Sequence, residues 1–130
     1  MPQGVRHALI TGSSRGIGRG IALALAAEGV KIAIHYYRNE AAAKETLAKV
    51  RARGSDGFLV RADVIDPAQI TDMFQKVKAE FGTLDVFVSN ARPEVPEFFQ
   101  PPLEITLKQW DAAFDSQAKG FLVGARAALR

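Results

Sequence analysis

Along the 130 residues, apolar runs of strand length alternate four times with segments of helical length, and this alternation constrains the fold more than any other feature. Repeated β-α-β units of this kind lay helices over both faces of a parallel sheet. Runs at 6–10, 30–36, 57–61 and 84–89 are read as the strands. The fourth is a continuous apolar stretch expected to be buried on both faces, as the central strands of parallel sheets are. Local chemistry marks the helices between them. The first is expected over 17–28, closed by Gly29, and Asn39 is a candidate N-cap for an Ala-rich helix running to about Arg53 and stopped by Gly54. Asp66 and Pro67 open a third helix, with Gln69 completing a capping-box-like pair, and Gly82 stops it after Phe81. A Pro-rich loop through Pro93, Pro96, Pro101 and Pro102 follows the fourth strand. Thr106 and Gln109 form another capping box and start a last helix carrying Trp110, Phe114 and Phe121, expected to run to the end of the chain. Right-handed crossovers leave few ways to stack such units, and the expected sheet order is 3-2-1-4.

Composition excludes several classes. Hydrophobic residues make up 48% and charged residues 24%, ordinary for a packed globular domain, so one α/β domain is expected over residues 1–130. The net charge is +3, and the seventeen basic residues are dispersed, so nucleic acid is not an expected partner. Cysteine is absent, which removes disulfides and thiolate metal sites, and no metal is expected. No signal-like segment precedes the first strand, which points to the cytoplasm. The longest apolar stretch, around 21–27, is far short of the roughly 18 residues that span a bilayer, so no membrane association is expected.

Between the first strand and the first helix stands Thr11-Gly12-Ser13-Ser14-Arg15-Gly16-Ile17-Gly18. A ligand there would meet the positive end of the helix dipole and its unpaired amides, an arrangement that favours phosphate. Gly12 suits a tight turn, Gly16 a close backbone approach to a pyrophosphate and Gly18 close packing of the helix, while Ser13 and Ser14 add hydroxyl donors. Following a strand and opening a helix within a β-α-β unit, the cluster reads as a dinucleotide fingerprint of the Rossmann type. It is not the P-loop, because no lysine follows Gly18.

The end of the second strand meets the adenosine ribose in such a fold, and a carboxylate there selects a free 2′-hydroxyl. This chain has Tyr36, Tyr37 and Arg38 instead, with no carboxylate before Glu40. A guanidinium offers a planar pair of donors to a 2′-phosphate, and Arg15 can grip the same group from the glycine loop. NADP(H) is therefore expected over NAD(H).

The whole chain resembles the N-terminal half of the short-chain dehydrogenase/reductase family. TGSSRGIG at 11–18 matches that family's T-G-x-x-x-G-x-G motif. Ala62-Asp63-Val64 is similar to its adenine-contacting segment, implying that Asp63 accepts from the adenine amino group and Val64 lies against the ring. Ser89-Asn90-Ala91-Arg92 is similar to its N-N-A-G, placing Asn90 and Ala91 at the cofactor. Gln117-Ala118-Lys119-Gly120 stands where the family has N-x-x-G, which makes Gln117 the candidate for the asparagine of its proton relay. Two positions depart: Arg92 replaces a glycine, and Gln117 is one methylene longer than asparagine. Some acyl-carrier-protein reductases of the family also depart from N-N-A-G, so a fatty-acyl substrate gains weight.

The resemblance implies an oxidoreductase passing hydride between NADPH and a carbonyl or an enoyl thioester, and a homodimer or homotetramer built on the fourth helix. It also requires a serine and a tyrosine followed four residues later by lysine, which lowers the tyrosine's pKa. Only Tyr36 and Tyr37 are present, followed at that spacing by Glu40 and Ala41. The chain is accordingly expected to be part of a longer enzyme whose catalytic groups lie beyond it. The alternative is a non-catalytic NADP(H)-binding module that senses the nucleotide or pairs with another chain. An epimerase or dehydratase of the extended branch is disfavoured, because TGSSRGIG is not a G-x-x-G-x-x-G turn.

Overall fold

The computed structural model describes residues 4–92 and 101–130, which leaves Pro93 and Pro96 outside the described residues. Four parallel strands, β1 (His7–Ile10), β2 (Lys31–Tyr36), β3 (Gly57–Arg61) and β4 (Val86–Val88), form one sheet in the order β3-β2-β1-β4. Helices α1 (Gly16–Ala27) and α2 (Glu40–Ala52) cover one face of the sheet. Helix α3 (Pro67–Phe81) covers the other, beside a last helical segment made of α4 (Leu107–Phe114), a π-helical turn (Asp115–Lys119) and α5 (Gly120–Ala128). This is the expected three-layer α/β/α architecture with the expected strand order.

The two-residue period of the strands sorts the core into two halves. Ala8, Ile10, Ile32 and Ile34 pack with Ala22 and Ala26 of α1 and Ala43 and Val50 of α2. Leu9, Ala33 and Val60 point the other way, onto Ile70, Met73, Phe74 and Val77 of α3. Helix α5 approaches β4 closely, since a Cβ added at Gly124 would lie 2.7 Å from Phe87 Cζ.

Most of the local signals act as their chemistry suggests. Asn39 accepts from the Ala42 amide, Asp66 accepts from the Ala68 amide with Pro67 behind it, and Thr106 with Gln109 forms a complete capping box. Gly29, Gly54 and Gly82 all take positive φ at helix ends. Three features differ. Gln69 does not return to the Asp66 amide; its Oε1 accepts from Asp63 N–H at 2.8 Å and its Nε2 donates to Asp66 Oδ2, tying the β3–α3 turn to the helix start. β4 has three residues instead of six and is half-buried, because β1 is its one sheet neighbour among the described residues and Asn90 and Ala91 turn back to bond Thr11. The last helix is not uniform, and it contains a π-helical turn at 115–119, a rare element often found at functional sites. Among the described residues, no helix is long and apolar enough to cross a membrane.

Candidate cofactor site

The glycine loop is held from three directions. From β4, Thr11 Oγ1 accepts from the Asn90 amide at 2.9 Å and the Ala91 amide at 3.0 Å, while Asn90 Nδ2 donates to the carbonyls of Thr11 and Gly12. From β2, His35 receives the Gly12 amide on Nδ1 at 2.8 Å. From α2, the Thr46 hydroxyl donates to the Ser14 carbonyl at 3.0 Å, and Arg19 Nη2, on α1 itself, donates to the same oxygen at 2.7 Å. In a trans peptide the N–H points opposite to the C=O. With Ser14 C=O drawn toward α2, the following Arg15 amide is turned away from α2, at the start of α1.

Within the loop the glycines divide their roles. Gly16 has φ of 60° with nothing within 4 Å of the position a Cβ would take, so open space faces the backbone where α1 begins. A Cβ on Gly18 would run into the Gly12 carbonyl and stand 2.7 Å from Asn90 Nδ2. Gly18 therefore permits packing on the loop and on Asn90, more than on a strand. Ser13 is fully buried: its hydroxyl donates to Ile10 O and accepts from His35 N–H, and its amide donates to His35 O. It shapes the loop from beneath, without a donor left for a ligand. Ser14 contributes its clamped carbonyl, and the Ile17 side chain is exposed. Arg15 is the exposed N-cap residue of α1.

At the end of β2 the Tyr36 ring packs toward the α1/α2 half of the core, while the Tyr37 ring has the Arg38 guanidinium 5.4 Å and the Arg61 guanidinium 5.0 Å from its centroid. Arg61 Nε also donates to Tyr37 O at 3.0 Å, fixing the corner from which Arg38 projects. Asp63 follows β3 with its Oδ1 accepting from the Ile65 amide, and Val64 borders a small cavity shared with Thr11, Ala91, Ser116 and Gly120. Gln117, in the π-helical turn, donates from Nε2 to the Ala91 carbonyl at 3.1 Å. Thus Asn90, Ala91 and Gln117 meet Gly12 and Thr11 at the carboxyl end of β1 and β4, while Tyr37, Arg38 and Asp63 stand at the ends of β2 and β3. Ligands bind at this edge of open α/β sheets. Among the described residues, no group of three or more His, Asp and Glu side chains is placed to hold a metal.

His35, Arg19, Thr46 and Arg61 belong to this site without having been singled out in the sequence. The His35 imidazole is lowered from the ordinary 6.5, mainly by burial, against the raising effects of the Ala62 carbonyl and the Asp63 charge. The sign follows from linkage: the unfolded chain binds the proton first, so the stabilisation is complete above about 6.5 and is lost as pH falls through the lowered native value. Unfolding free energy measured against pH in that window is expected to decline for the wild type and to decline less for His35→Asn.

Residues 6–130 match the short chain dehydrogenase family. The chain is 37% identical over 115 residues to a 3-oxoacyl-[acyl-carrier-protein] reductase, FabG, of Staphylococcus aureus, covering 88% of this chain and 46% of that protein. A hydroxynaphthalene reductase-like protein, Arp2, of Metarhizium anisopliae is 38% identical over 108 residues, covering 83% and 39%. In structure it is similar to a short chain dehydrogenase of Burkholderia cenocepacia determined in complex with NADP, with a TM-score of 0.87, 35% identity, and coverage of 98% of this chain and 51% of that one. The chain spans about half the length of the relatives it matches. With the glycine loop, the strand order and a family match running from the first strand to the last residue, the chain belongs to the short-chain dehydrogenase family.

Proposed function

We propose that this chain is the dinucleotide-binding part of an NADP(H)-dependent reductase acting on a carbonyl or an enoyl thioester. The observation that carries the reading is the open backbone at Gly16, at the head of α1 directly after Arg15 and the clamped loop. Phosphate fits such a helix start, where amides and dipole both face it. Around that point the residues present suit the rest of the cofactor. Arg15 and Arg38 supply guanidinium groups for the 2′-phosphate, Asp63 a carboxylate for the adenine amino group, and Val64 an apolar contact for the ring. Asn90 and Ala91 set the edge of the cleft, where Gln117 stands in the place of the relay asparagine. NADPH, when bound, supplies the hydride, and the protein's part is to bind and orient it.

The names of the two relatives compared above, a 3-oxoacyl-[acyl-carrier-protein] reductase and a hydroxynaphthalene reductase-like protein, favour reduction of a keto substrate, with a 3-oxoacyl thioester as the leading class. The serine, tyrosine and lysine of the family's chemistry are assigned to sequence outside these 130 residues. Exposed Trp110, Phe114, Phe121 and Leu122 on α4 and α5 support association of two copies through this helix. A non-catalytic NADP(H) module remains the second reading, and the placement of the two tyrosines favours it for this chain taken alone: one packs on the core and the other lies between arginines.

The test is affinity for NADPH against NADH in the full chain. Arg38→Ala and Arg15→Ala are each expected to weaken NADPH about tenfold to a hundredfold, the worth of a lost charge-assisted hydrogen bond, and to leave NADH unchanged. Equal affinity of the wild type for both nucleotides removes the NADP assignment. NADPH oxidation driven by a 3-oxoacyl thioester separates enzyme from sensor.

A further inference from the structure

His35 lies near the end of β2, 3% exposed, with both ring nitrogens engaged at 2.8 Å. One partner, the Gly12 amide, can only donate, and the other, the Ala62 carbonyl, can only accept. The neutral ring therefore has a single workable form, with the lone pair on Nδ1 and the proton on Nε2. The peptide of the same residue closes a second circuit, giving its N–H to Ser13 Oγ and taking the Ser13 amide on its carbonyl. Gly12 opens the glycine loop, and Ala62 opens the Ala62-Asp63-Val64 segment after β3. One buried ring thus spans the two walls of the cleft proposed to hold the dinucleotide.

We propose that His35 is a positioning residue for the cofactor: its Nδ1 lone pair fixes the Gly12 peptide, and its Nε2 proton, given to the Ala62 carbonyl, holds the ring in the form that leaves that lone pair free to do so. This rests on the reading of the cleft as a dinucleotide site. Without the acceptor the part-buried Gly12 amide is unpaired, which costs up to about 1–3 kcal/mol unless the loop moves to relieve it. Movement there displaces the backbone that leads to Gly16. The groups around the ring are few. The glycine loop contributes the Gly12 amide and the Ser13 hydroxyl, β3 contributes the Ala62 carbonyl, and Asp63 is the charge that acts on the imidazole.

Two amide substitutions separate the two bonds. His35→Asn puts an oxygen at the level of Nδ1 and keeps the acceptor for Gly12. His35→Gln puts its amide at the level of Nε2 and keeps the donor for Ala62 alone. In titrations of the full chain with NADPH and with NADH, Gln is expected to weaken both nucleotides about tenfold, and Asn to stay within about threefold of the wild type. A role in folding alone would lower the stability of both variants and leave affinity unchanged. The wild-type ring is read separately by nitrogen NMR, where the Nε2-protonated form is expected. The proposal is overturned if Gln binds as the wild type does, if Asn binds as weakly as Gln, or if the ring carries its proton on Nδ1. A wild type that binds neither nucleotide overturns the cofactor reading and this proposal with it. Normal wild-type binding with no distinction between the variants overturns the role of His35 alone.

Discussion

Gly18→Ala is expected to abolish measurable dinucleotide binding, a loss of at least a hundredfold, or about 3 kcal/mol. One methyl group suffices, because the Cβ would run into the Gly12 carbonyl and sit 2.7 Å from Asn90 Nδ2. Both neighbours are fixed: the Gly12 amide is bonded to His35, and Asn90 is bonded to Thr11. Relief therefore requires the loop and the start of α1 to separate, and overpacking of this kind also costs about 1–3 kcal/mol of stability. Two other glycines serve as controls. Gly20, on α1 with nothing near its Cβ position, should accept alanine with unchanged binding and a gain of up to about 1 kcal/mol from helix propensity. Gly16→Ala should weaken binding strongly without a packing clash, since its Cβ enters the open space proposed for the pyrophosphate, while its φ of 60° adds a backbone strain of about 1–2 kcal/mol to the stability readout. Isothermal titration with NADPH alongside urea denaturation checks all three. Retained affinity in Gly18→Ala would contradict the account of the loop.

Thr11→Val is expected to lower the unfolding free energy by about 3 kcal/mol, although the two side chains have nearly the same shape. The hydroxyl accepts from the Asn90 and Ala91 amides and faces the Val88 carbonyl at 3.4 Å, and Thr11 is almost fully buried. Valine leaves both part-buried amides without that acceptor, and an unpaired donor costs up to about 1–3 kcal/mol. The same change frees the turn after β4 that positions Asn90 over Gly12, so dinucleotide affinity should fall together with stability. Thr11→Ser, which restores the oxygen, should recover most of both. A denaturation midpoint for Thr11→Val equal to the wild type would show that the hydroxyl does not hold this turn.

What could be read from the chain was what depends on near neighbours. Asn39, Asp66 and Thr106 cap helices by reaching two or three residues ahead, and such spacings are written directly in the sequence. Strand order followed from the alternation and from the handedness of crossovers. Side chains whose partners are distant were missed or given the wrong emphasis. His35 bonds Gly12 and Ala62, 23 and 27 residues away, and Arg19 bonds Thr46 at a separation of 27. No local pattern distinguishes a strand histidine that anchors a loop from one that fills a core. Ser13 shows the converse: its place in the motif suggested a donor to phosphate, whereas burial turned its hydroxyl to Ile10. β4 looked central because its side chains are apolar, but apolar composition reports burial and not how many strands lie beside it.

The strand order also fixes the sequence in which the molecule can mature. β1 pairs with β2 where Ala8 meets Ile32, 24 residues on, and with β4 where Ala8 meets Val86, 78 residues on. Closing the second, longer loop of chain costs roughly 1 kcal/mol more entropy than the first on a logarithmic scaling with loop length. On the ribosome, moreover, Thr11 and Gly12 emerge long before Asn90, the residue that pins them. Their bonds to Asn90 and Ala91 form only when the late strand docks, so this wall of the proposed cleft is among the last parts of the half-sheet to be completed.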